Sequence, residues 1–187
     1  MKPGVRALGV AESFRDDRST LAGAVVRADR VVDGLSFASC TVGGTDATDA
    51  IVSLSNRLAR EDVQYVLLGA VAPAWYNVLD LSTLHQRVDR PVVAVTFEES
   101  DGLEAGIREA FSGSEREERL ELYRSLPPRR EVAVGDETVY VRAVGLADEE
   151  ADTVVRAFTP EGGRPEPLRV ARLAARAADA YRRERRG

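Results

Sequence analysis

The spacing of apolar positions changes along the chain and divides it into three stretches. Before residue 45, apolar residues form short runs separated by polar turns. Residues 5–10 are apolar and lie between Gly4 and the polar run 12–20, residues 21–27 form a second run, and Asp29-Arg30 makes a turn before a third at 31–42. Short links between three such runs predict an antiparallel meander. From residue 45 the period becomes helical. Ala47, Ile51, Leu54 and Leu58 recur up to Arg60, behind a cap at Thr45 or Asp46. Residues 63–68 are continuously apolar, as in a strand buried on both faces. Trp75, Val78, Leu81, His85 and Val88 then recur at threes and fours, predicting a helix over 74–88, and residues 91–95 form a fifth strand. A meander followed by α-β-α-β predicts an α/β mixed sheet whose later strands run parallel to the first.

The last stretch has helical signals at 103–111 and 120–123, stopped by Pro127-Pro128. Residues 131–134 and 138–144 flank Gly135-Asp136 as a hairpin. Two helices follow at 148–158 and 166–183, separated by the loop 160–165. There is no internal repeat. Residues 1–187 read as one domain, with the hairpin and terminal helices expected as a layer against the main sheet.

Composition narrows the chemistry. A chain of 187 residues with 44% hydrophobic and 30% charged content suits one soluble globular domain. No apolar run approaches the roughly 18 residues needed to cross a bilayer. Met1-Lys2-Pro3-Gly4 is followed by no signal-peptide core, so the expected address is cytoplasmic, with no membrane partner. One histidine and one cysteine exclude a His/Cys zinc site, so any metal would be a hard cation held by oxygens. Cys40 lies in an apolar run and reads as inert core. Lys2 is the only lysine among 26 basic residues, a usage that fits a GC-rich or halophilic genome. With 31 acids and a net charge of −5, indiscriminate nucleic-acid binding is disfavoured and any such contact must be local. Oligomeric state is not legible.

Three segments near strand ends or helix starts carry candidate chemistry. They are Leu8-Gly9-Val10 with Glu12 and Phe14, Gly44-Thr45-Asp46-Ala47-Thr48, and Asn77-Val78-Leu79-Asp80. Glu12 is a metal ligand if a bulge re-aims it, or a polar residue at a strand end. Asp46 either binds metal or caps the helix beginning there. Asn77 and Asp80, at i and i+3, share one helix face, bordering the crevice beyond the fourth strand or hydrogen-bonding a neighbouring loop. Thr45 and Thr48 either hold the Gly43-Gly44 turn or border a phosphate bound on its amides. Trp75 and Tyr76 stack on a base or, on the more economical reading, enter the core. His85 reads as structural. Arg169, Arg172, Arg176 and Arg183 lie close to one face of the last helix, with Arg182, Arg185 and Arg186 beyond. They either meet a nucleic-acid backbone or form a solvated face.

These segments, in this topology, resemble the archaeal family of unknown function numbered ninety-nine, which is itself similar to endonuclease V. The resemblance covers residues 3–180 and implies a ribonuclease H-like fold. Such nucleases bind one or two Mg²⁺ ions on carboxylates from the first strand, the first helix region and the end of the fourth strand. The resemblance places two of those carboxylates at Ala11 and Leu68, and an acid common in the family at Gly43. Three functions follow as expectations. One is a non-hydrolytic relative whose crevice takes nucleic acid, nucleotide or a protein partner, with Gly44, Thr45, Thr48 and Asn77 contacting ligand. Another is an Mg²⁺-dependent endonuclease with a rearranged site: Glu12, Asp46 and Asp80 catalytic, Glu12 and Asp46 holding the metal. The third is a structural or interaction protein.

Overall fold

The computed structural model describes residues 1–14, 16–160 and 162–185. Their order is β1 (Arg6–Phe14), β2 (Arg18–Arg27), β3 (Val32–Thr41), α1 (Ala47–Leu58), β4 (Val63–Leu68), α2 (Pro73–Tyr76), α3 (Leu81–Val88) and β5 (Val92–Thr96). Then come α4 (Glu104–Ala110), α5 (Gly113–Ser125), β6 (Arg130–Val134), β7 (Glu137–Val144), α6 (Asp148–Ala157) and α7 (Glu166–Glu184). The described strands form one sheet in the order β3-β2-β1-β4-β5-β7-β6. β1, β2 and β3 pair antiparallel, whereas β4 runs parallel to β1 and β5 parallel to β4. This is the expected meander and crossover. The hairpin β6–β7 does not form a separate layer: β7 pairs antiparallel with β5 and extends the sheet.

The central strands read as unbroken apolar runs because both of their faces are covered. Leu8, Val10, Val66 and Leu68 join Ile51 and Leu54 of α1 and Leu81 and Leu84 of α3 on one side. Ala7, Leu67, Val93 and Val95 join Val154, Val155 and Phe158 of the α6 region and Leu168 of α7 on the other. Cys40 is buried on the α1 side, and burial, with Asp46 and Glu12 nearby, pushes its thiol up to about 12, so it is unreactive.

Under α7 the sheet is made of small residues. Gly9 pairs with Ala24 and Ala11 with Ala22, so these side-chain positions share one face. The buried residues Leu168, Ala171, Ala175 and Asp179 of α7 recur at threes and fours, and the helix packs on β1 and β2. The approach is closest at Gly9, where an added Cβ would lie 2.2 Å from the Pro167 carbonyl carbon.

The expected helix over 74–88 is two elements. In α2 the residues Ala74, Trp75 and Tyr76 have φ of 50°, 57° and 61°, a left-handed turn built without glycine. Such a conformation costs roughly 1–2 kcal/mol per residue. A right-handed helix starts only at Leu81, capped by Asp80, whose carboxylate accepts from the Thr83 N–H at 2.8 Å. The period was misleading because its members have different fates. Val78 enters the cluster of α4 and α5, and Leu81 and Leu84 enter the α1 side. Trp75 points to solvent at 50% exposure, not into the core.

Replacing Gly9 by alanine should destabilise the protein by about 3 kcal/mol, because the clash is with backbone and α7 must lift. Chemical denaturation would measure it; an unchanged midpoint would show that α7 is not seated so closely.

Candidate functional site

A cavity of about 330 Å³ opens over the C-terminal ends of β1 and β4. Ala11, Glu12, Leu68 and Gly69 form part of its wall, and Arg164, Arg172 and Arg176 reach it from the α7 side. Val10 pairs with Leu68, and the Gly69 N–H donates to the Val10 carbonyl at 3.0 Å, which brings the strand ends together here. Methyl and isobutyl groups thus occupy this wall at Ala11 and Leu68.

Glu12 is the one carboxylate in the lining. No bulge re-aims it, since pairing with β2 is unbroken from Arg6 to Phe14. Its Oε2 accepts from the Ala74 N–H at 2.7 Å and from the Ser19 hydroxyl at 2.8 Å. Burial raises its carboxyl above the usual 4.5, against the lowering effect of those two hydrogen bonds.

Asp46 is N-cap to α1 by position, but its side chain makes no cap hydrogen bond. It turns back to accept from the Thr41 N–H at 2.9 Å, the Thr41 hydroxyl at 2.9 Å and the Asn77 amide at 2.8 Å. Burial alone would raise Asp46; the hydrogen bonds from Thr41 and Asn77 hold it below the ordinary carboxylate range. The cap is supplied by Asn77, whose Oδ1 accepts from the Ala47 N–H at 3.0 Å while its amide donates to the Thr41 carbonyl at 2.9 Å. Asn77 has no exposed surface, and its side chain is fully engaged in joining β3, α1 and α2.

Asp80 lies on a different cavity of about 310 Å³, with Thr45, Thr48, Asp49 and Arg119. Its carboxylate is occupied by the N–H and hydroxyl of Thr83, and its own N–H donates to the Thr48 hydroxyl at 3.1 Å. Glu12, Asp46 and Asp80 therefore do not converge. Among the described residues no group of three acidic, histidine or cysteine side chains could hold a metal ion. Glu12, the one carboxylate on the cleft, spends Oε2 on two hydrogen bonds, so the lining offers a hard cation a single acid and no cluster of them. Nor is a phosphate cradle free at the glycine pair. The Gly43 N–H donates to the Ala74 carbonyl and the Gly44 N–H to the Thr41 carbonyl. The Gly43 and Gly44 carbonyls accept from Arg119. His85 donates through Nδ1 to the Arg90 carbonyl at 2.7 Å, a structural bond.

The arginines of α7 divide by function. Arg169 pairs with Glu166, Arg183 with Asp179, and Arg182 donates to Thr20, while Arg186 lies outside the described residues. Arg172 and Arg176 face the cavity, and among the described residues neither they nor Arg164 forms an ion pair, although the Glu98 charge acts on Arg164. Burial and the charges of Arg172 and Arg176 pull Arg164 below the ordinary arginine value, and its guanidinium lies 3.8 Å over the Phe97 ring. A neighbouring cavity of about 310 Å³ shares Gly69, Ala70, Arg164 and Arg172 and adds Tyr123, Tyr140, Arg129 and Arg142. The sequence reading missed Arg164, Arg129 and Arg142. Of these only Arg164 had a local signal, its place in Gly162-Gly163-Arg164-Pro165 just before a helix.

The sheet order and the crevice over β1 and β4 define an endonuclease V-like α/β protein with a ribonuclease H-like fold. The chain belongs to the endonuclease dU family, whose model matches residues 3–179. A UPF0215 protein of Pyrobaculum aerophilum is 35% identical over 91% of this chain and 92% of its own length. The crystal structure of a protein of unknown function from Archaeoglobus fulgidus superposes with a TM-score of 0.82 at 26% identity, over 93% of this chain and 98% of that one. Endonuclease V of Ciona intestinalis, in complex with a 24mer DNA containing an inosine followed by a ribo-adenosine, shares the fold. Its TM-score is 0.64 at 12% identity, over 95% of this chain and 87% of that chain.

Two outcomes test this arrangement. Asn77→Ala strands the Ala47 N–H and removes one of two donors from the Thr41 carbonyl and from Asp46 Oδ1, which keep the Gly44 and Thr41 N–H groups, and should cost about 2 kcal/mol in a denaturant titration. An effect near zero would mean that water replaces the amide. The second concerns pH. A raised folded pKa means the folded chain holds the Glu12 proton more tightly than the unfolded chain. The residue's contribution to stability is therefore full below 4.5 and is lost as pH rises through its folded value. Wild-type protein should lose stability relative to Glu12→Gln as pH rises above 4.5, read from paired melting curves. The opposite slope would show that the hydrogen bonds outweigh burial.

Proposed function

We propose that this chain binds nucleic acid in the arginine-walled cleft over β1 and β4, and does not carry out metal-dependent hydrolysis there. One observation carries the reading. Where this fold would gather acids around a hard cation, the wall holds Ala11 and Leu68, and three guanidiniums that form no ion pair among the described residues face the space. Such a wall attracts phosphate, and guanidinium can engage it in a bidentate fashion. It is also local, as a chain of net charge −5 requires. Endonuclease V of Ciona intestinalis, solved on inosine-containing DNA, supports a nucleic-acid ligand, and the family's description supports deoxyuridine-containing DNA as the form to examine first.

A second reading, strand cleavage at deoxyuridine, is favoured by the same family description. Under it Glu12, the one acid on the cleft and raised by burial, is the proton-transferring group.

Anisotropy titrations with deoxyuridine-containing and undamaged DNA should give binding that weakens steeply with salt. Arg172→Ala and Arg176→Ala should each weaken it several-fold and lower the salt slope by about one. No strand breaks should form with Mg²⁺ or Mn²⁺. Absence of binding would overturn the proposal. Cleavage by clean wild-type protein, lost in Glu12→Gln, would establish the second reading instead.

A further inference from the structure

The chain has one tryptophan, two residues beyond the cleft wall at Pro73, and a strained backbone holds it half exposed. Pro73 lines the cleft wall, and at most about 7 Å of chain separates it from Trp75. The turn between them is fixed at both ends. The Ala74 N–H donates to Glu12 on the cleft, and the Ala74 carbonyl accepts from the Gly43 N–H at 2.7 Å. The Asn77 N–H closes the turn on the Pro73 carbonyl at 3.0 Å. Three successive non-glycine residues in the left-handed region then turn the Trp75 side chain outward. Tyr76 takes the inward position, its hydroxyl seated where a Cβ on Gly106 would lie 2.1 Å away.

The indole is nonetheless ordered by its neighbours. Its centroid is 5.4 Å from Phe111 and 5.9 Å from Tyr76, both tilted. It also covers Gly43, where an added Cβ would meet Cε3 at 3.0 Å. Arg119, stacked 4.0 Å over Phe111 and bonded to the Gly43 carbonyl, ties this group to α5. A large aromatic ring, rigidly supported and left half open two residues from the cleft wall at Pro73, has the features of a stacking platform.

We propose that Trp75 stacks on an unpaired base of the strand whose phosphates lie against Arg164, Arg172 and Arg176. This rests on the nucleic-acid reading above and adds to it the strand form, one with at least one base out of the duplex stack. Glu12 is then a positioning residue, since it holds the turn that presents the indole.

Indole emission from the full-length protein, excited to the red of tyrosine absorption, reports on Trp75 alone, because no other tryptophan is present. Titration with single-stranded oligothymidylate should quench it. An abasic phosphodiester strand of equal length should bind by anisotropy without quenching, as should a fully paired duplex. Trp75→Ala should weaken oligothymidylate binding about tenfold and leave binding of the abasic strand unchanged, which also shows that the variant is folded. Trp75→Phe should retain most of the affinity. Oligothymidylate binding without quenching, or with full affinity in Trp75→Ala, overturns the stacking role while the cleft reading stands, provided Arg172→Ala still weakens binding. If wild-type protein binds neither strand, both fall together.

Discussion

The close seat of α7 on a floor of glycine and alanine is the contact on which the rest of the molecule depends. Gly9, Ala11, Ala22 and Ala24 leave no side-chain bulk between the helix and the sheet, and Pro167 rests almost on the strand backbone. Ala171 and Ala175 complete the interface from the helix side. A helix set so low closes one face of β1 and β2. It also brings the residues following those alanines, Arg172 and Arg176, over the strand ends. The positive wall of the cleft is thus a geometric consequence of small residues elsewhere. Larger side chains at these positions would lift the helix and remove the arginines from the space above Ala11 and Leu68.

Opposite that helix, the polar side chains hold the backbone together. Asp46, Asn77 and Thr41 tie β3 to α1 and α2, and Glu12 ties β1 to the left-handed turn. A carboxylate that accepts two or three short hydrogen bonds from the protein has few lone pairs left for a cation, so structural use and metal use compete for the same oxygens. Asp46 and Asp80 use both oxygens in this way, and Glu12 uses Oε2 alone. This bears on the proposed reading more than the absent acids do by themselves, because it gives the remaining acids a physical role. The same bonds offset the cost of three left-handed residues, which would not persist in an isolated peptide.

The fold was largely legible. Strands buried on both faces have continuous apolar runs, and α1 keeps its period, so the meander and crossover followed from pattern alone. The failures have particular causes. Trp75, Val78 and Leu81 share a helical spacing, but the turn at Ala74 sends each to a different environment. The hairpin's alternation showed two strands, not which sheet edge they would join. In the candidate site, Glu12 was placed at the strand end correctly, whereas its partners Ala74 and Ser19 lie 62 and 7 residues away and leave no local mark. Likewise the four arginines chosen on the last helix looked equivalent, and only packing separated Arg172 and Arg176 from Arg169 and Arg183.

By itself, the order of apolar and polar residues determined the number and type of most elements, the parallel crossover and the positions without a carboxylate, since each follows from local periodicity or residue identity. Tertiary structure alone decided which acids are consumed by N–H groups, which arginines face the cleft and why Trp75 is exposed. Those outcomes depend on distances between segments far apart in the chain, and a hydrogen bond or a cavity wall exists only once packing has fixed such distances to within an ångström or so.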